Sequence, residues 1–122
     1  MKNQPYILVV DDDQQVARLL KKTLERDGYF VIATTSGKKA LATIEERLPG
    51  LLILDLNMPE PHGLDILRIA RSRFPYLRTL VISGYLKGEQ LDAAGFLGAA
   101  ATLEKPFAPE ALATRVREVL GG

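Results

Sequence analysis

Three short apolar runs frame the chain: YILVV (6–10), LLIL (51–54) and TLVI (79–82). Each is continuous rather than alternating, as strands read when both faces of a parallel sheet are covered. YFVIAT (29–34) and AATL (100–103) are weaker strand signals and belong nearer the sheet edges. Helical spacing fills the gaps. Val16, Leu19, Leu20, Thr23 and Leu24 trace one face of a first helix, with Gly28 as its C-terminal cap. Ala40, Leu41, Ile44 and Leu48 trace a second, opened by Ser36 and stopped before Pro49. Leu64, Leu67, Ala70 and Phe74 trace a third, which ends at Pro75. A fourth, from about Lys87 to Ala94, is short, with Gly88 inside it and Gly95 and Gly98 after it. Leu112, Val116, Val119 and Leu120 trace the fifth, with Pro109 in its first turn. Five strand-then-helix repeats predict an α/β fold, a doubly wound five-stranded parallel sheet flanked by five helices. Nothing in residues 1–122 suggests a linker, so the expectation is one domain.

Composition then removes several classes of function. Sixteen Lys and Arg nearly cancel fifteen Asp and Glu, which argues against a strongly cationic surface for nucleic acid or anionic lipid. There is no Cys, so disulfides and thiolate metal sites are excluded, and one His cannot build a multi-imidazole zinc centre. MKNQPYILVV lacks the pattern of a signal peptide, and no apolar run approaches membrane-spanning length. The expected setting is soluble and cytoplasmic.

The polar residues fall where the apolar runs stop. The first run is followed by Asp11-Asp12, the third by Asp55 and the fourth by Ser83, while Glu104-Lys105 follows the fifth. In an open parallel sheet these strand ends share one edge, where ligands bind. Three carboxylates gathered there must either raise their pKa values or recruit a cation. Oxygen donors without His or Cys favour a hard ion, Mg²⁺ or Mn²⁺. A hydroxyl and an ammonium beside such an ion make the site complementary to a phosphoryl group. Asp13 reads more simply, as the N-cap of the first helix. His62, in a Pro/Gly loop, reads as an exposed loop residue rather than a phosphohistidine relay.

VVDDD, LDLNMP, VISGY and EKPF, in this order and spacing, resemble the receiver domain of two-component response regulators across Ile7 to Leu120. The resemblance implies the flavodoxin-like strand order 2-1-3-4-5, which is carried over rather than derived. It implies Asp55 as phosphoacceptor from a phosphohistidine, and Asp11, Asp12, Asp55 and the Asn57 backbone carbonyl as Mg²⁺ ligands. Ser83, Gly84 and Lys105 would contact the phosphoryl oxygens, and the Lys105–Pro106 bond would be cis. The implied partners are a sensor histidine kinase or a histidine phosphotransfer protein. An output protein would bind the fourth helix, fifth strand and fifth helix. The implied assembly is a monomer or a phosphorylation-dependent dimer, with no contact to nucleic acid or membrane. Such a protein is a switch, not an enzyme, beyond turning over its own acyl phosphate. Two positions depart from the family pattern. Thr102 stands where an aromatic switch residue is frequent, so that switch is absent or moved to Tyr85, and His62 stands where Asp is commonest. Two other readings compete: a binding-only module of the same fold that is never phosphorylated, and a flavodoxin-like cofactor protein. The first expects a missing acid, acceptor or lysine; the second expects a Ser/Thr/Gly-rich phosphate cradle.

Overall fold

The computed structural model describes residues 5–59, 62–84 and 98–121. Its elements are β1 (Tyr6–Val10), α1 (Gln14–Arg26), β2 (Phe30–Thr34), α2 (Gly37–Glu46) and β3 (Leu51–Asp55). They continue with α3 (Gly63–Arg73), β4 (Thr79–Ser83), β5 (Ala101–Glu104) and α4 (Pro109–Val119). The five strands are all parallel, in the order β2-β1-β3-β4-β5. That is the expected topology, with the two weaker strands at the edges. Among the described residues there are four helices where five were expected. The helix expected from Lys87 to Ala94, with Gly88, lies outside those residues, as do Tyr85 and Gly95.

Local chemistry explains the boundaries. The Asp13 carboxylate accepts the Gln15 and Val16 amides and caps α1. α1 ends because Gly28 takes a φ of +90°, so the Gly28 and Tyr29 amides turn back to the Glu25 and Leu24 carbonyls. Ser36 Oγ caps α2 by accepting the Lys39 amide at 3.1 Å. Pro109 occupies the first turn of α4, where a missing N–H costs nothing.

The sheet separates two apolar layers. On one face Leu8, Leu52, Leu54 and Val81 pack with Ala40 and Ile44 of α2 and with Ile66 and Leu67 of α3. On the other, Ile7, Val9, Ile53, Leu80 and Ile82 pack with Leu20 and Leu24 of α1 and with Leu112 and Val116 of α4. Each Leu, Ile or Val among them contributes roughly 1.5–3 kcal/mol on burial. Successive strand residues serve opposite layers, and the same alternation aims the residues that follow each strand.

Three helix faces differ from the expected ones. Leu19 is 58% exposed, and Ala17 takes its place in the buried face of α1 with Leu20 and Leu24. Leu48 is 49% exposed because α2 has already ended at Glu46. Ile66 joins Leu67 and Ala70 beneath α3, while Leu64 is only half-buried.

Candidate functional site

β1, β3 and β4 stop at the same edge, where residues distant in sequence meet. The ladder runs slightly past the strands: the Asp11 amide donates to the Thr34 carbonyl at 3.2 Å, and the Lys105 amide to the Ser83 carbonyl at 2.6 Å. Both side chains are thereby aimed by sheet hydrogen bonds rather than by loose loops. A cavity of about 550 Å³ opens at this edge, lined by Asp11, Asp12, Asp55, Asn57, Gly84 and Lys105. The expected residues therefore do converge. Ser83 sits directly behind them, fully buried at the end of β4. The Lys105–Pro106 bond is cis, as expected.

Every buried polar group at this rim has a partner. Lys105 Nζ lies 3.0 Å from Asp11 Oδ2 and 3.6 Å from Asp55 Oδ2. Asp11 Oδ1 accepts the Asp13 amide at 2.9 Å, and Asp55 Oδ1 accepts the Asn57 amide at 2.9 Å. Ser83 Oγ donates to the Asn57 side-chain oxygen at 3.1 Å. Asp12, by contrast, is exposed. Burial is the main reason that the Asp55 carboxyl is raised, and with all its neighbours counted it stands at about 6. Within that balance the Asn57 amide lowers it, the charges of Asp11 and Asp12 raise it, and Lys105 opposes them. Burial depresses the Lys105 ammonium, but its hydrogen bond and attraction to Asp11, with the attraction of Asp55, more than offset this and leave it above 10.5.

The donor set suits a hard cation. Asp11, Asp12 and Asp55 each offer one carboxylate oxygen, and these oxygens lie within 4.8 Å of one another. Three negative charges face one ammonium, so a divalent ion completes the neutralisation that Lys105 begins. Oxygen-only ligands that leave room for water match Mg²⁺ better than zinc.

Two contributions escaped the sequence reading. Gly63, the first residue of α3, is packed so closely that a Cβ there would stand 2.5 Å from the Asp55 carbonyl oxygen and 2.4 Å from Leu56 Cα. Its glycine identity lets α3 abut the end of β3; the only sequence signal was a Gly at a helix start. The hydrogen bond that the Asn57 side chain accepts from Ser83 was also unforeseen. His62 is exposed, as expected, with its Nδ1 3.0 Å from the Met58 carbonyl oxygen. Thr102 is half-buried on β5, opposite Val81.

The family model for the response regulator receiver domain matches residues 7–117. The chain belongs to this family. It is 39% identical over 116 residues to the transcriptional regulatory protein CpxR of Escherichia coli K12, covering 93% of this chain and 48% of that protein. It is 35% identical, over the same shares, to the alkaline phosphatase synthesis transcriptional regulatory protein PhoP of Bacillus subtilis. The receiver thus spans about half the length of the curated relatives it matches. Among solved structures it resembles a CheY-like response regulator receiver domain protein from Methanospirillum hungatei, with a TM-score of 0.91 and 30% identity over 97% of this chain and 94% of that one. Receiver domains of response regulators belong to two-component systems and are signalling proteins rather than enzymes. Among the described residues no helix is long and apolar enough to cross a membrane.

Proposed function

We propose that this receiver accepts a phosphoryl group onto Asp55 from a phosphohistidine of a sensor kinase or a histidine phosphotransfer protein. Residues 1–122 would act as one module, in the cytoplasm. The observation that carries the reading is the buried Asp55 carboxylate, gathered with Asp11 and Asp12 and held 3.6 Å from Lys105.

In the proposed transfer an Asp55 oxygen attacks phosphorus, the P–N bond to imidazole breaks, and the leaving imidazole takes a proton from solvent. The Asn57 amide fixes Oδ1, which leaves Oδ2 to form the new P–O bond. Asp11, Asp12, Asp55 and the Asn57 carbonyl would hold Mg²⁺ or Mn²⁺, which supplies charge neutralisation for the phosphoryl oxygens. Lys105 turns from the carboxylates toward the transferred group, and Ser83 Oγ and the Gly84 amide are the remaining donors at that edge. Water would later cleave the acyl phosphate, which makes the protein a self-limiting switch. Output would pass through the segment after β4, together with β5 and α4. No feature favours a binding-only module, because the acidic pair, the acceptor and the lysine are all present.

The test is Mg²⁺-dependent labelling from acetyl phosphate or a phosphorylated kinase. Asp55→Ala abolishes the label if the assignment holds; undiminished labelling of that variant refutes it.

A further inference from the structure

Near-zero net charge conceals a strong segregation. Between Gln14 and Lys39 the chain carries six Lys or Arg against two Asp or Glu, although its formal net charge is only +1. Three of those cations meet in space. Arg18 and Lys21 of α1 and Lys39 of α2 line a groove of about 380 Å³, together with Gln14, Thr34 and Thr35. Among the described residues none of the three is in an ion pair. Neither helix places an acidic residue in its first turn to offset them. Arg18, Lys21 and Lys22 also sit at helical spacings of three and four, where like charges weaken a helix. Lys21 is half-buried, so part of its side chain is packed at the groove wall.

We infer that this groove is a binding site for a compact oligophosphate anion. Three cations with an amide and two hydroxyls form a donor-rich lining, suited to a ligand that has many acceptor oxygens and more than one negative charge. The Arg18 guanidinium and the two ammonium groups are the side chains that bind phosphate best. The only apolar contributions near the opening are Ala17 and Ala33, so nothing there stacks on a nucleobase or anchors a protein side chain. This favours the phosphate chain itself over a nucleoside or an acidic peptide. The groove is distinct from the acidic cleft, although the Thr34 carbonyl that accepts the Asp11 amide makes them neighbours. The inference does not depend on phosphorylation of Asp55.

The experiment is an amide NMR titration of the whole chain with sodium triphosphate, without Mg²⁺ and at ionic strength held constant with NaCl. The expected result is saturable shifts centred on residues 14–21 and 33–39. Lys21→Gln and Lys39→Gln should each weaken binding by about tenfold, the effect of losing one charge-assisted contact. Arg115→Gln on α4 should leave it unchanged, and thermal melts confirm that each variant is folded. Shifts spread over every basic residue, or equal weakening by Arg115→Gln, mean diffuse counterion attraction and overturn the inference. A glutamate decapeptide that saturates the same amides more tightly than triphosphate overturns it as well, in favour of an acidic protein partner.

Discussion

Replacing Asp55 by Asn tests the electrostatics of the rim while preserving its shape. The amide is isosteric, and its oxygen can still accept the Asn57 N–H that Asp55 Oδ1 accepts at 2.9 Å. Without metal, burial and the adjacent Asp11 and Asp12 charges hold the Asp55 carboxyl near 6, against an ordinary value of 3.8. A carboxyl raised on folding favours the folded state while it is protonated. That contribution is full below the unfolded value and disappears as pH climbs through about 6. Above this window the folded protein carries a charge that the unfolded chain would hold more comfortably. The shift of roughly two units corresponds to about 3 kcal/mol. Asn carries no such charge. In urea melts with EDTA, the stability of Asp55→Asn relative to the parent should therefore grow by about 2 kcal/mol from about pH 4 to about pH 8, the rest of the change lying below pH 4. Saturating Mg²⁺ should close the gap by stabilising the parent far more than the variant. A stability difference that does not vary with pH, or equal stabilisation of both proteins by Mg²⁺, would refute the reasoning.

Lys105→Met removes the ammonium that contacts both buried carboxylates. It should cost about 2 kcal/mol of metal-free stability at neutral pH and move the Asp55 titration above 6, read by urea melts and by carboxyl NMR. Gly63→Ala drives a methyl into the Asp55–Leu56 backbone. About 3 kcal/mol of destabilisation and weaker Mg²⁺ binding by fluorescence or calorimetry are expected, whereas an unchanged protein would show that α3 can simply move aside. Thr79 Oγ1 is fully buried with no hydrogen-bond partner among the described residues. Thr79→Val should thus stabilise the fold by about 1 kcal/mol in the same melts.

The strands were the most legible part of the chain, because a strand covered on both faces has no choice but to be apolar throughout. All five residues of β1, of β3 and of β4 are buried. Helix ends were readable where a side chain or a glycine does the capping, as at Asp13, Ser36 and Gly28. Helix faces were less so. Periodicity weights large residues, so Leu19 outranked Ala17, yet Ala17 is the one in phase with Leu20 and Leu24, and Leu19 falls on nearly the opposite side of the helix. The candidate site was legible as a set, since parallel topology brings strand ends together whatever lies between them. Its individual contacts were not. That Ser83 would donate to Asn57, or that Lys105 would bridge Asp11 and Asp55, depends on side-chain geometry that no spacing rule encodes. The basic groove was hidden for a related reason. Its cations come from two helices separated by β2, and total charge averages them against acids elsewhere.

The alternation of side chains along the strands has one more consequence. Asp55 follows the parity of Ile53, which belongs to the layer of α1 and α4, while Ser83 follows Val81, which belongs to the layer of α2 and α3. A single covalent group seated on Asp55 and gripped by Ser83 would hook over the lip of the sheet and fasten its two sides together. News of the modification could then reach both helical layers at once, without crossing the hydrophobic interior of either.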